Sequence, residues 1–552
     1  MKLWFKKNRY VFILMILGVA CFFMYSFLAF SAPKEIFNSP DETANYVFSC
    51  NFAKAGTMKL PEDDNLKVQG MIHPRSAIAN YNGDIVPGYF LGAPMIFGYL
   101  GKILGCSAIP FVLPVISAIT PIFFYLGLKK IFEKDVALIS AVLLYCHPIF
   151  LYYTAKSLMP NVLFIDFLII SIALVLIAPI KKGFKGYFHA RPLIAYFFSG
   201  IFLALGLTIR PAEIFWVFFL YVVLFAFRIR YVNWPGLFLG LCGFGIMIVP
   251  NLLLNYELYG GYFQLGYNTR LMGIDLDNAG SAPFWRSFFS RSMIFPFGVK
   301  LAASGAMFIN YFWRFLGWYN LLLLPGLVAF FVYLWNDKKL FARKIVYLIA
   351  VFDVSVYLIL YYGSYLFSDH IDSSKISIGS SYLRYWLPIF ILLLPLMSSA
   401  IYAVWRFASK QKINIKCLFL AVTIMILSLN TFGVVFSWTD ESLVAVKHNL
   451  EIYQKIRNDV VSSTEENAII ITDRADKIFF PPRKVVVFLD NFAIWPLVEI
   501  ICEQRPVYYY TMMPPADMKY FLSTKVTNAR LTFDFSNKIN NFYLYKIKPD
   551  KF

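Results

Sequence analysis

Two adjacent carboxylates, Asp41 and Glu42, stand in the stretch Asn38-Ser39-Pro40-Asp41-Glu42-Thr43-Ala44-Asn45-Tyr46-Val47-Phe48, just after the first long hydrophobic run of the chain. A carboxylate within hydrogen-bond reach of a hydroxyl can remove its proton as the oxygen attacks, which is general-base work. The tetrapeptide Ser39-Pro40-Asp41-Glu42 also has a structural account. Ser39 can be an N-cap, Pro40 the first helical residue and Glu42 the partner of a capping box, with both acids favoured by the helix dipole. That account occupies Glu42 and leaves the Asp41 side chain at the helix tip. Asp41 is therefore the carboxylate without an equally complete structural role, with Glu42 as its positioner or a metal contact.

The surrounding chain says where such chemistry would happen. Of its 552 residues 59% are hydrophobic, 19% aromatic and only 15% charged. With a mean hydropathy of +0.62, the chain is a polytopic membrane protein and not a soluble globule. The net charge of +19 does not indicate nucleic acid, because the Lys and Arg cluster between hydrophobic runs, where they report orientation and attraction to anionic headgroups. Residues 1–30 carry Lys2, Lys6, Lys7 and Arg9 before an apolar run with no small-residue cleavage site, and read as a retained signal anchor. The seven cysteines have no metal-ligand spacing; a Cys50–Cys502 bridge is one option.

Hydrophobic runs of bilayer length fall at roughly 106–128, 135–153, 160–179, 192–209, 211–228, 234–254, 307–335, 345–366, 383–404 and 415–436. With the first run they make about eleven spans. Starting with the N-terminus in the cytoplasm, the inner connections carry Lys129-Lys130 and Lys134, Lys181-Lys182 with Lys185 and Arg191, Arg228 and Arg230, Lys338-Lys339 with Arg343-Lys344, and Arg406, Lys410, Lys412 and Lys416. Every inner loop is short and basic, as the positive-inside rule requires. The loop 31–104, a second polar segment from Asn255 and the C-terminal part then lie outside the cytoplasm. Within the first loop, an amphipathic helix is expected from Ser39 to Ala55 with Gly56 as its stop, and a second, interfacial one within 86–104. Beyond residue 437, short β-branched and aromatic runs at 468–472, 484–488, 506–510 and 541–545 alternate with helical patterns at 443–460 and 492–502. They predict a small α/β domain over 437–552, following a membrane domain over 1–436.

The order of several stretches resembles the GT-C integral-membrane glycosyltransferases, and most closely the aminoarabinose lipid A transferase and protein O-mannosyltransferase branch. These are Pro40-Asp41-Glu42-Thr43-Ala44-Asn45-Tyr46 after the first span, Val86-Pro87-Gly88-Tyr89-Phe90-Leu91 opening a second helix, and Leu158-Met159-Pro160-Asn161. Leu207-Thr208-Ile209-Arg210-Pro211, Asn255-Tyr256-Glu257-Leu258-Tyr259-Gly260 leading into Leu265-Gly266-Tyr267, and Tyr382-Leu383-Arg384-Tyr385-Trp386-Leu387-Pro388 complete the series. The resemblance covers about the first 400 residues and leaves out the C-terminal domain.

It implies an α-helical polytopic GT-C-like bundle with extracytoplasmic interfacial helices, in the cytoplasmic membrane. It further implies transfer of a sugar from a polyprenyl-phosphate donor to an extracytoplasmic lipid, glycan or protein, with Asp41 as base. The leaving phosphate needs fixed cations. Arg210 matches the arginine of the family's Arg-Pro-type turn and Arg384 is the second choice, with Lys156 and Arg270 as further cations. His73, Tyr89, Asn161 and Tyr385 belong to the expected substrate cavity. Two departures stand out. Many relatives have an acid where this chain has Asn161, and some have a lysine before the Pro-Gly-Tyr-like turn where this chain has Ile85-Val86. The first weakens an acidic metal site, since hard divalent ions want several carboxylate oxygens. No particular cofactor is implied, a divalent cation stays an option, and its ligands are unknown. The competing readings are a flippase for lipid-linked saccharides and a polymerase or ligase of surface polysaccharide. Asp166 and Asp353, inside spans, are expected to hydrogen-bond within the bundle.

Overall fold

The computed structural model describes residues 2–178, 190–228, 232–266, 294–336, 340–367, 369, 375–408 and 413–550. Among these, eight helices are long and apolar enough to cross a membrane: Asn8–Tyr25, Cys106–Leu128, Pro160–Ile177, Ala190–Ile209, Trp234–Tyr259, Gly317–Leu334, Phe341–Gly363 and Leu387–Arg406. The pair Lys134–Tyr145 and Pro148–Ala155, bent by 45°, adds a ninth. The break falls where Pro148 cannot continue the preceding helix and instead opens the next one, with His147 as its N-cap. Two shorter apolar helices, Pro211–Ala226 and Val422–Ser437, lie at the two remaining expected positions.

The chain forms two compact units. One comprises residues 1–28, 111–250 and 277–445; the other comprises 29–110, 251–276 and 446–552. This grouping cuts across the linear division at residue 436, because the first loop clusters with the C-terminal residues.

The first unit is the helical bundle. With no hydrophobic drive between helices in lipid, close backbone approach and polar bonds hold such bundles, and both are present. Ser171 Oγ donates to the Ser199 carbonyl at 2.7 Å, and Ser199 Oγ donates back to the Ser171 carbonyl at 3.0 Å. Gly200 lies so close to Gly240 that a Cβ there would collide with its carbonyl. Asp166, fully buried, accepts from Ser117 Oγ at 2.6 Å, as expected of a carboxyl inside a span. The basic residues of two connections also meet. Lys344 Nζ pairs with Glu133 at 2.9 Å, and Arg343 donates to the Lys130 carbonyl at 2.7 Å.

The second unit pairs the helices Pro40–Ala55 and Gly92–Leu104 with two sheets. Gly98 permits the helix contact, since a Cβ there would lie 2.7 Å from Phe52 Cδ1. The small sheet is the antiparallel pair β1 (Ala77–Ala79) and β2 (Ile85–Pro87). The larger one contains β3 (Ile469–Thr472), β4 (Lys484–Val487), β5 (Val507–Thr511), β6 (Leu531–Ile539) and β7 (Phe542–Pro549), in the order β4-β3-β5-β7-β6. The first three in that order run parallel and the last two join antiparallel.

Four strands lie where the apolar runs predicted them. The edge strand β6 carries exposed polar residues through its middle, so no apolar run announces it. The opposite edge at β4 is met by the first loop, where Ile72 bridges Val486, an arrangement that covers an open strand edge. Arg505 adds ion pairs to Asp64 at 2.7 Å and Glu62 at 3.0 Å.

Candidate active site

Asp41 owes its position to the start of its helix. Ser39 has extended geometry (φ −120°, ψ 146°), its side chain accepts from the Asp41 amide at 3.2 Å, and Pro40 is the first helical residue. Gly56, at φ 75°, ends the helix by donating to the Phe52 carbonyl, a left-handed stop that favours glycine. Ala44, Phe48 and Phe52 sink into an apolar cluster with Val86, Tyr89, Leu254 and Leu258. Glu42 is buried at 3% exposure, while Asp41 is only half-buried. The Asp41 Oδ1 accepts from Ser76 Oγ at 2.5 Å.

Ser76 also ties this helix to the Pro-Gly-Tyr stretch, since its carbonyl accepts from the Gly88 amide at 3.0 Å. Tyr259 fixes the same stretch by donating to the Pro87 carbonyl at 2.6 Å. Tyr89 is buried in the cluster. His73 is half-buried, with Nδ1 2.9 Å from the Pro74 carbonyl oxygen. Thus Asp41 and the Gly88-Tyr89 turn meet through Ser76, a residue that the sequence motifs did not mark. Cys50 and Cys502 are both free thiols, so the Cys50–Cys502 bridge is not formed. Burial, followed by a hydrogen bond with Cys106, pushes the Cys50 thiol up to about 12.

The bundle unit holds a second constellation. Arg210 lies between the helices Ala190–Ile209 and Pro211–Ala226 at 9% exposure. Its Nε donates to Glu213 Oε1 at 2.9 Å, and a terminal nitrogen donates to Tyr362 Oη at 2.7 Å. Tyr362 in turn donates to Glu213 at 2.5 Å, and Trp216 Nε1 to its other oxygen at 2.6 Å. Tyr385 stacks on Tyr362 with ring centroids 4.4 Å apart. Both arginines face the Tyr385 ring, Arg210 with Cζ at 4.7 Å from its centroid and Arg384 at 5.0 Å.

Arg384 donates to Ser381 Oγ at 2.9 Å and to Met159 Sδ at 3.5 Å. Ser381 donates to Asp369 at 2.6 Å. Met159 immediately precedes the helix Pro160–Ile177, in whose first turn Asn161 is buried. Lys156 is buried, with Nζ 5.7 Å from the Tyr152 ring centroid. Arg210, Arg384 and Tyr385 are therefore brought together, with Asn161 and Lys156 attached through the Met159 segment. Arg270 lies outside the described residues. The i,i+3 spacing in Arg210-Pro211-Ala212-Glu213 was the available signal for Glu213; Tyr362 gave none. Among the described residues, no group of three or more His, Cys, Asp or Glu is arranged to hold a metal ion.

Beside this constellation an apolar cavity of about 790 Å³ is lined by Trp216 and Pro388, by Leu168 and Tyr347, and by Lys130 and Arg343. This volume is typical of ligand sites.

A family model described as dolichyl-phosphate-mannose-protein mannosyltransferase matches residues 94–254. No curated protein matches the chain by sequence. Among solved structures, ArnT from Cupriavidus metallidurans bound to undecaprenyl phosphate is similar at a TM-score of 0.55 and 11% identity, covering 98% of each chain. The archaeal oligosaccharyltransferase AglB from Archaeoglobus fulgidus, in complex with an inhibitory peptide and a dolichol-phosphate, gives a TM-score of 0.50 at 12% identity. It covers 98% of this chain and 74% of that one. Identities this low speak to fold alone, and the fold is like that of these two membrane proteins. The family-model match covers less than a third of the chain and lies within this shared fold.

Proposed function

We propose that this protein is a membrane glycosyltransferase that moves a sugar from a polyprenyl-phosphate carrier to an acceptor hydroxyl on the extracytoplasmic face of the cytoplasmic membrane. The observation that carries the proposal is Asp41, half-buried at the tip of a helix whose other side is packed in an apolar core, with its Oδ1 on Ser76. The second oxygen of that carboxylate takes the acceptor's proton as the acceptor oxygen bonds to the anomeric carbon. The bond from that carbon to the phosphate oxygen breaks in the same displacement, and its electron pair leaves on the polyprenyl phosphate. A single displacement inverts the anomeric centre.

Arg384 stabilises the departing phosphate. Its planar fork suits two phosphate oxygens, and it is more exposed than Arg210, whose charge is engaged by Glu213. Arg210 holds the Tyr362–Tyr385 stack beside it, and Lys156 and Arg270 supply further positive potential. Tyr89 and His73, in the unit of Asp41, and Asn161 and Tyr385, in the bundle, contact the substrates, and Glu42 positions Asp41. The apolar cavity accommodates part of the isoprenoid chain.

Deletion of the gene tests this reading in the cell. Mass spectrometry of the membrane lipids is expected to find an accumulated polyprenyl-phosphate sugar and an acceptor lacking that sugar. Unchanged levels of both would remove the support for a transferase.

A further inference from the structure

The Asp41 helix is gripped from outside its own segment by a short helix of the C-terminal region, Asp476–Phe479, which follows β3. Asp476 is fully buried, a state a carboxylate tolerates only when its charge is met. Arg75 meets it completely: its backbone amide donates to Oδ2 at 2.8 Å, and its Nε and a terminal nitrogen reach Oδ1 at 2.8 and 2.7 Å. A further bond from the Arg75 guanidinium to the Arg474 carbonyl at 2.6 Å completes the fork. The next residue is Ser76, and its φ of 62° lies in the left-handed region. A non-glycine residue stays there only when its surroundings hold it. Ser76 is held on both sides, by the Arg75–Asp476 pair before it and by the Gly88 amide on its carbonyl. The outcome of that strained geometry is the hydroxyl aimed at Asp41.

The next residue of the short helix acts on the other flank. Lys477 Nζ donates to the Asn38 carbonyl, directly before the N-cap Ser39. Arg457 secures both partners, donating to the Ile478 carbonyl at 2.6 Å and to the Glu35 carbonyl at 3.1 Å. The residue before the N-cap of the Asp41 helix and the loop that carries Ser76 are therefore both held by consecutive residues of one helical turn. The membrane-domain motifs that suggested Asp41 contain neither contact.

We infer that Ser76 is a positioning residue for Asp41, and that the C-terminal region holds it in place through the Asp476–Arg75 pair, so that this region is part of the catalytic apparatus and not an appended module. This rests on the reading of Asp41 as the base. The Ser76 hydroxyl leaves one carboxylate oxygen committed and the other oriented toward the acceptor, which is the preorganisation that a base needs. A hydrogen bond to a charged group has a strength that corresponds to about 10–100-fold in rate when it is required in the transition state.

The test uses the full-length protein in detergent micelles, with membranes of the deletion strain as the source of donor and acceptor, and mass spectrometry of the glycosylated product. Ser76→Gly, which removes the hydroxyl and relieves the left-handed backbone, is expected to lower kcat about 10–100-fold with the apparent KM and Tm unchanged. Ser76→Asn, which tolerates the same φ and keeps a donor, restores part of it. Arg75→Ala lowers kcat less than Ser76→Gly does, and combining the two is no worse than Ser76→Gly alone, because both act through one hydroxyl.

Arg75→Lys serves as a milder probe if Arg75→Ala proves unstable. Full activity of Ser76→Gly, or multiplication of the Ser76 and Arg75 losses, would overturn the inference. If Asp41→Asn is itself fully active in this assay, the base reading fails. If Asp41→Asn is inactive while Ser76→Gly is fully active, only the positioning role fails.

Discussion

Asp41→Asn is expected to reduce kcat for sugar transfer by about 10²–10⁴-fold, the range that a positioned general base contributes. The substitution is nearly isosteric, and the Asn side-chain oxygen can still accept from Ser76 Oγ, which now meets Asp41 Oδ1 at 2.5 Å. Fold and cap should therefore survive, since the Ser39 side chain caps the Asp41 backbone amide and not its carboxylate. Binding of undecaprenyl phosphate as a probe, followed by native mass spectrometry, should match the wild type. A loss of transfer with that binding retained separates a base from a structural acid. Undiminished transfer would take Asp41 out of the mechanism.

The second large effect concerns the two arginines on the Tyr385 ring, which should fail in different ways. Arg384→Gln removes the cation assigned to the leaving phosphate, and kcat should fall by about 10²–10³-fold, as when a preorganised charge stabiliser is lost. Arg384→Lys should recover little of it, because an ammonium cannot reproduce the fork. Arg210→Gln instead strands Glu213, which also accepts from Tyr362 and Trp216. Breaking a buried pair by removing one partner costs about 3–5 kcal/mol, so this variant should show its defect first as a lowered Tm or loss of folded protein. Thermal unfolding alongside turnover for both variants decides the assignment. A stable but inactive Arg210→Gln with an active Arg384→Gln would exchange the two roles.

What the sequence disclosed and what it hid follow from the range of the interactions. Span positions were readable because each is a local apolar run. The start of the Asp41 helix was equally local, with Ser39, Pro40 and Gly56 supplying cap, first turn and stop. Arg210 was marked by its Arg-Pro turn, and its partner Glu213 lay three residues on, readable from spacing alone. By contrast, Ser76 and its support by Asp476, 401 residues after Arg75, leave no local pattern; serine in a left-handed turn looks like any loop serine. The strand β6 was hidden because an exposed edge strand needs no apolar run. For the same reason the linear split at residue 436 differs from the compact units, in which residues 29–110 cluster with 446–552. That grouping comes from pairings such as Ile72 with Val486 and Arg505 with Glu62, which no single stretch contains.

The most direct test of the central claim is reconstitution of the purified protein in liposomes containing the polyprenyl-phosphate sugar and the acceptor recovered from the deletion strain, with both the glycosylated acceptor and the free polyprenyl phosphate measured by mass spectrometry. The transferase account predicts that both appear together, in equal amounts, only when donor and active protein are present. Movement of intact donor between leaflets with no new glycosidic bond would contradict it.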